Sequence, residues 1–129
     1  MTPTLLLHED EVDSRTGFRY RTVYVYNENG LLHYHDYYEI FLILAPEITH
    51  VVNNSSVTLP RGSLVFIRKS DVHSFAYKPT KEPSFINITF TEEILMSLFT
   101  YLSDGYPSEK LLNMPDPPCV HMNEADIDW

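Results

Sequence analysis

Short runs of β-branched and aromatic residues, separated by turn residues, dominate the first 90 positions of this chain. The clearest runs cover residues 18–26, 37–44, 48–52, 63–67, 73–77 and 85–90, and turn residues occupy positions 27–30, 53–56 and 60–62. Branched and aromatic side chains pack well on a pleated sheet, whereas Asn, Gly and Pro favour tight turns. Strands at a spacing of roughly 8–12 residues predict an all-β sandwich or barrel.

The spacing of the apolar residues changes from a strand pattern to a helical pattern near residue 91. Thr91 followed by two glutamates is typical of a helix N-terminus, because a hydroxyl caps free amides and acids face the positive end of the helix dipole. Apolar residues then follow at helical spacing, namely Ile94, Leu95, Leu98, Phe99 and Leu102. Gly105 and Pro107 are expected to end this helix. Its apolar stripe can pack on the barrel or form a dimer interface.

These changes of pattern divide the chain into four predicted parts. Residues 1–17 form an N-terminal arm, residues 18–91 the barrel, and residues 92–113 a helical segment for packing or dimerisation. Residues 114–129 form a proline-containing linker and the start of a truncated helix near Asn123. A helix that begins so close to the last residue predicts that the chain is a fragment of a longer protein.

Composition limits the classes of function. The chain has 129 residues, is 43% hydrophobic and carries a formal net charge of −9, as expected for one acidic domain with a core. An acidic surface repels a phosphate backbone, so this chain alone is a poor binder of nucleic acid. No apolar run approaches the roughly 20 residues of a membrane span, and the N-terminus does not resemble a signal peptide. We therefore expect a cytoplasmic protein, and the single cysteine, Cys119, excludes an internal disulfide.

Histidine and glutamate recur at even spacing in one strand segment. Side chains alternate between faces along an extended strand, so His33, His35 and Glu39 can project to one side. His73 begins a later strand that can lie beside the first. Three histidines and one glutamate suit a divalent transition metal such as Zn, Ni, Mn or Fe. The alternative is a cluster that contacts an effector directly, without a metal.

Other residues complete the candidate site. Phe41, Phe66 and Phe75 fall on predicted inward faces, where they either fill the core or line a small-molecule pocket. The predicted ligand-binding set is therefore His33, His35, Glu39, Phe41, Phe66, His73 and Phe75. Arg19 and Arg21 alternate with Tyr20 and are expected on a solvent face, with anion binding as the alternative. His50 lies among hydrophobic residues and is expected to be a hydrogen-bonded strand histidine rather than a further ligand. No catalytic residue is predicted.

The motifs resemble those of the cupin family. His33-Tyr34-His35 with Glu39, after an upstream glycine, is similar to the first cupin motif, and the turn at residues 60–62 followed by His73 is similar to the second. The amino-acid sequence of residues 33–40, 61–67 and 71–75 resembles that of the N-terminal sensor domain of AraC-type transcription regulators. This resemblance extends over residues 5–129.

The resemblance implies a double-stranded β-helix (cupin, or jelly-roll) barrel with a ligand pocket inside and a C-terminal helical segment. It also implies a homodimer, and DNA binding only through C-terminal helix-turn-helix units that this chain lacks. The expected function is the effector-binding and dimerisation domain of an AraC-type regulator, sensing a small polar metabolite such as a carbohydrate. The long spacing from Gly62 to His73 departs from enzyme cupins. A small metal-dependent cupin enzyme, an isomerase or dioxygenase, is the alternative.

Overall fold

The computed structural model describes residues 3–24, 32–76, 82–102 and 108–127. Within these ranges the strands are β1 (Thr4–Leu6), β2 (Phe18–Val23), β3 (His33–His35), β4 (Tyr38–Ile43), β5 (Glu47–Val52), β6 (Ser55–Pro60), β7 (Ser63–Ile67), β8 (His73–Phe75), β9 (Phe85–Phe90) and β10 (Cys119–His121). The helices are α1 (His8–Glu11), α2 (Glu92–Leu102), α3 (Ser108–Asn113) and α4 (Glu124–Ile127). In the described part of the chain, no helix is long and apolar enough to cross a membrane.

The strands form two five-stranded sheets. The order is β1-β3-β8-β5-β6 in the first sheet and β10-β7-β4-β9-β2 in the second sheet. Neighbouring strands are antiparallel except for the parallel pair β1 and β3. Consecutive strands of the described residues lie in different sheets, except for β5 and β6 in the first sheet and β9 and β10 in the second. This architecture is a double-stranded β-helix, which confirms the predicted mainly-β barrel.

The main core lies between the two sheets. It contains Phe41, Ile43, Val65, Ile67 and Phe85 from the second sheet and Ile48 and Leu59 from the first. These residues occupy alternate positions on their strands, as a sheet with one face inward requires. Glu39 shares the parity of Phe41 and Ile43 on β4, so the same alternation turns its carboxylate toward the interior.

A second apolar cluster covers the outer face of the second sheet. Tyr38, Phe90 and Leu95 form its centre, with Ile40, Phe66, Phe99 and Leu112 packed against them. Helix α2 begins at the predicted cap, where the Ile94 amide donates to Thr91 Oγ1 at 3.4 Å. The helix buries Leu95 but leaves Leu98 47% exposed. The predicted apolar stripe is therefore divided between the barrel and the exposed surface.

Both terminal segments contribute strands to the barrel sheets, which the predicted division of the chain did not include. In the arm, β1 pairs with β3 beside the histidine motif. In the predicted linker, β10 pairs with β7, and the Met122 amide donates to the Gly62 carbonyl at 2.8 Å. Gly62 has a φ of +93°, and the Met122 backbone leaves no room for a side chain there. The predicted turn at residues 27–30 and the helix end at Gly105 and Pro107 lie outside the described residues.

A buried ion pair attaches α3 to the barrel. The Arg68 side chain donates to the Asp71 carboxylate from Nε at 2.7 Å and from Nη2 at 3.1 Å. It also donates to the carbonyls of Leu111 at 2.6 Å and Met114 at 2.8 Å. Burial by itself raises the pKa of Asp71, but the hydrogen bonds from Arg68 and Asn53 hold it below its usual range. The pair therefore connects the loop before β8 to the segment that follows α2.

Candidate functional site

A cavity of about 220 Å³ opens between the two sheets, close to the histidine motif. We call it the barrel cavity. It is lined by Leu6, Glu11, Arg21, Val23, His33, Tyr37, Glu39, His73, Phe75, Phe85 and Asn87. Seven of these side chains carry polar groups, three of them from the predicted set, and the other four are aliphatic or aromatic. The barrel cavity therefore offers both hydrogen-bonding groups and an apolar surface to a bound molecule.

The structure brings the four predicted metal ligands together. Strands β3 and β8 are antiparallel neighbours with His33 opposite His73, and the two rings lie 4.4 Å apart. His33, His35 and His73 each offer a ring nitrogen, and these three atoms lie within 4.8 Å of one another. Glu39, on β4 in the opposite sheet, lies beside two of these histidines, His35 and His73. We refer to these four residues as the His–Glu cluster.

Glu39 is buried within the His–Glu cluster, against His35 and His73. Its Oε1 lies 3.3 Å from His35 Nε2 and 3.7 Å from His73 Nε2, and its Oε2 accepts a hydrogen bond from Asn87 Nδ2 at 3.1 Å. Burial alone raises the pKa of Glu39, but the hydrogen bonds from His35 and Asn87 and the nearby imidazoles lower it to about 2. Glu39 is therefore a carboxylate at neutral pH.

Backbone geometry sets the proton position on His35. Its Nδ1 lies 2.6 Å from the Tyr37 carbonyl oxygen, which can only accept, so Nδ1 carries a proton and donates. The second nitrogen, Nε2, faces Glu39. When Nε2 is protonated it donates to the carboxylate, and when it is not, its lone pair is available to a metal ion.

His73 is held by a fifth polar residue, His50. His50 Nε2 and His73 Nδ1 lie 2.9 Å apart, so one ring donates to the other. Burial lowers the pKa of His50 to about 4 and that of His73 to about 3, which keeps both rings neutral at pH 7. If His50 donates to His73 Nδ1, the neutral His73 carries its proton on Nε2, which is then a donor. If His73 Nδ1 donates to His50, His73 Nε2 has a free lone pair and can be a metal ligand. The contact with His50 therefore controls the role of His73 Nε2. His50 is hydrogen-bonded, as expected from the sequence, and its partner is a member of the His–Glu cluster, His73.

The donor set and its spacing fit a divalent transition metal. Two ligand atoms bound tetrahedrally to one Zn²⁺ at about 2.0–2.1 Å are roughly 3.3–3.4 Å apart. Glu39 Oε1 is 3.3 Å from His35 Nε2 and 3.7 Å from His73 Nε2, close to that separation. The buried His73 Nε2 also has no hydrogen-bond partner among the described residues. Imidazole and carboxylate donors suit Zn, Ni, Mn and Fe, the metals named from the sequence.

The three predicted phenylalanines have three different positions. Phe75 lines the barrel cavity and stacks near Phe85, with ring centroids 4.6 Å apart. Phe41 is fully buried in the main core, beneath the cavity lining. Phe66 does not face inward: it packs on the outer face of the second sheet against Tyr38 and Phe90. The inward assignment of Phe66 is therefore corrected, because β7 turns its odd-numbered residues inward and α2 makes its outer face apolar as well.

Seven residues that line the cavity lie outside the predicted ligand-binding set, and three of them, Glu11, Arg21 and Asn87, have a charged or amide side chain. Arg21, expected on a solvent face with anion binding as the alternative, lines the barrel cavity beside Glu11, and Asn87 lines it from β9. The described residues include three buried side-chain polar atoms without a hydrogen-bond partner, namely Arg21 Nε, His73 Nε2 and Asn87 Oδ1. All three belong to residues that line this cavity. Buried polar atoms without protein partners are rare in folded proteins, so these three atoms need hydrogen bonds with water or with a bound molecule.

Comparisons with known proteins agree with this architecture. The family model described as the AraC-like ligand-binding domain matches residues 31–114. The crystal structure of a point variant of apo ToxT from Vibrio cholerae is similar, with a TM-score of 0.63 and 16% identity over 92% of this chain. Unsaturated fatty acid-bound wild-type ToxT gives a TM-score of 0.60 and 17% identity over 88% of this chain. A search of curated protein sequences found no significant match.

The fold and the polar cavity define a cupin-like barrel of the ligand-binding type. The family match extends over more than half of the chain, and this chain belongs to the AraC-like ligand-binding domain family. It spans 46% of the first ToxT chain and 44% of the second, so it corresponds to about half of those proteins.

Proposed function

We propose that this chain is the effector-binding domain of an AraC-type transcription regulator and that its effector is a small, sugar-like polar metabolite held in the barrel cavity. The observation that carries this proposal is the grouping of Arg21 Nε, His73 Nε2 and Asn87 Oδ1 around one cavity. Arg21 Nε donates and Asn87 Oδ1 accepts, so the pair is complementary to hydroxyl groups, which can do both.

The size and lining of the barrel cavity favour a compact ligand. Its volume of about 220 Å³ is below the roughly 300–1,000 Å³ of pockets for drug-sized molecules. One ToxT structure contains an unsaturated fatty acid. The small cavity of the present chain, with its polar and apolar lining, favours a hydroxylated molecule over a long acyl chain. The neighbouring rings of Phe75 and Phe85 offer an apolar surface to the C–H face of such a molecule.

Calorimetric titration of the 129-residue chain with a panel of sugars, polyols and sugar acids tests this proposal. We expect at least one member to bind, and Asn87→Leu to weaken that binding by about tenfold or more, since a buried partner is lost. Asn113→Leu, at an exposed position on α3, is the matched control and should bind as the wild type does. If no member of the panel binds to the wild-type chain, the proposed function is refuted.

We also propose that the His–Glu cluster binds a divalent transition metal of the Zn, Ni, Mn or Fe type. His33, His35, His73 and Glu39 would be its ligands, and such a metal would supply a Lewis acid that fixes an oxygen of the effector. The His35 hydrogen bond to Tyr37 and the His73 contact with His50 support this, because outer partners that orient histidine ligands are typical of metal sites.

The exposed part of α2 favours a homodimer. Its large hydrophobic residues that are exposed are Ile94, Met96, Leu98, Tyr101 and Leu102. Apolar side chains on one short helix that the barrel does not cover are typical of an interface between copies. In this proposal DNA binding resides in helix-turn-helix units outside this chain, and the regulator acts in the cytoplasm.

A small metal-dependent enzyme is the second candidate, and the same His–Glu cluster is the observation that favours it. An isomerase or dioxygenase would need open positions on the metal for its substrate. The two candidates differ in turnover. A metal-loaded chain that converts a bound metabolite supports the enzyme, whereas binding without conversion supports the sensor.

A further inference from the structure

An arginine and a glutamate from different segments meet at the wall of the barrel cavity. Arg21 projects from β2, and Glu11 belongs to α1 in the N-terminal arm. Arg21 Nη1 lies 3.5 Å from Glu11 Oε2, and both side chains line the cavity. The distance is longer than the 2.7–2.9 Å of a close charge-assisted hydrogen bond, so the contact is a loose ion pair.

The guanidinium of Arg21 has binding capacity that Glu11 does not use. Its Nε is buried and has no hydrogen-bond partner among the described residues. A carboxylate that binds arginine well uses two parallel hydrogen bonds, one to Nε and one to a terminal nitrogen. The terminal nitrogen that pairs with Nε in this way is Nη2, as in the contact of Arg68 with Asp71. Glu11 contacts Nη1, on the other side of the guanidinium, so it does not use this donor pair.

Charge decides how an anion can enter. Glu39 is already a carboxylate inside the cavity, and Glu11 is a second one at its wall. A third carboxylate added beside both would be repelled. A carboxylate that replaces Glu11 as the counter-charge of Arg21 leaves the number of negative groups around Arg21 unchanged, and it can accept from Nε and Nη2 together.

We infer that the effector carries a carboxylate, which binds Arg21 in place of Glu11 while its hydroxyl groups face Asn87 and His73. This inference rests on the proposed function and narrows the ligand from sugar-like molecules in general to sugar acids and other small hydroxy acids. In the ligand-free chain Glu11 then supplies the counter-charge of Arg21 that the ligand carboxylate replaces.

Two pairs of probes test the inference, each differing only in the carboxylate. D-gluconate and D-glucitol share a six-carbon hydroxylated chain, and D-glycerate and glycerol share a three-carbon one. Titrations use the 129-residue chain in buffer freed of metals on a chelating resin, so that an acid cannot bind through a metal. We expect at least one acid to bind about tenfold or more tightly than its neutral partner, as a charged hydrogen-bonded pair predicts.

Variants separate the contribution of Arg21 from general effects. Arg21→Gln should remove the preference for the acid, and Glu11→Gln should strengthen binding of the acid severalfold because it removes the competing carboxylate. Arg19→Gln changes an exposed arginine on the same strand that does not line the cavity, and it should leave the preference intact. Circular dichroism confirms that each variant is folded.

The outcomes distinguish this inference from the proposed function. If a neutral polyol binds as tightly as its acid, or if Arg21→Gln keeps the preference, the inference is wrong while the proposed function stands. If neither acid binds to the wild type or to Glu11→Gln, the inference is also wrong. If the larger panel of polar metabolites fails as well, both are wrong.

Discussion

Removal of one charge from the buried Arg68–Asp71 pair should strongly destabilise the fold. Arg68 is 3% exposed and Asp71 is 1% exposed, so neither charge can be hydrated in place. Asp71→Asn keeps the shape of the side chain but leaves the Arg68 guanidinium buried without a counter-charge. Breaking such a pair typically costs 3–5 kcal/mol. We expect a loss of about 3 kcal/mol, the lower end of the range, because the amide oxygen still accepts one hydrogen bond.

Urea unfolding followed by circular dichroism measures this loss. With an m-value of about 1–3 kcal/mol/M, the midpoint should fall by roughly 1–3 M. Amide exchange should also accelerate in α3, because Arg68 holds the carbonyls of Leu111 and Met114. Glu124→Gln is the matched control: it removes the same charge from a solvent-exposed pair with Arg61 and should change the free energy of unfolding by less than about 1 kcal/mol.

The reasoning is refuted if Asp71→Asn is no more destabilising than Glu124→Gln. It is also refuted if stability falls but exchange in α3 remains unchanged, because α3 would then be held by apolar contacts alone. A large loss with local release of α3 would show that this pair fixes the position of the C-terminal segment on the barrel.

Three other results are expected. In metal-free buffer below pH 6, urea titrations should show the free energy of unfolding falling by up to about 2.7 kcal/mol per pH unit, because His50 and His73 have folded pKa values of about 4 and about 3 and only the unfolded chain binds their protons. Glu39, with its folded pKa of about 2, adds a further loss of stability below the ordinary pKa of glutamate. A free energy of unfolding that does not change with pH would contradict the burial of these groups. His73→Ala should weaken Zn²⁺ binding about tenfold or more in a competition assay, whereas His121→Ala, at an exposed strand position, should not; equal effects would exclude the cluster as the site. Leu98→Glu on α2 should convert a dimer to a monomer in sedimentation velocity while Val57→Glu, on an exposed strand, does not, and a wild-type monomer would refute the dimer.

The alternation of side chains along single strands was predictable from the sequence. His33 and His35 share one parity on β3, so alternation along that strand brings them to one side. Glu39 lies on β4 in the opposite sheet, and it faces them only because the chain crosses between the sheets after β3. The Thr91 cap and the apolar spacing after it likewise determine a helix at α2, since both signals act within a few residues. Short-range signals of this kind predict the fold class and the histidine pair of β3 in the candidate site.

The relation between distant segments was decided only by the tertiary structure. Arg21 enters the cavity because β2 pairs with β9 in a register that sets it opposite Asn87, and Glu11 meets it because the arm folds beside β2. No short-range signal encodes that register. Phe66 illustrates a second limit of the sequence. Alternation predicts that Phe66 and Leu64 lie on the same face of β7, but it does not tell whether that face is the inner or the outer face of the sheet. Helix α2 makes the outer face of the second sheet as apolar as the inner one, so hydrophobicity alone cannot distinguish them.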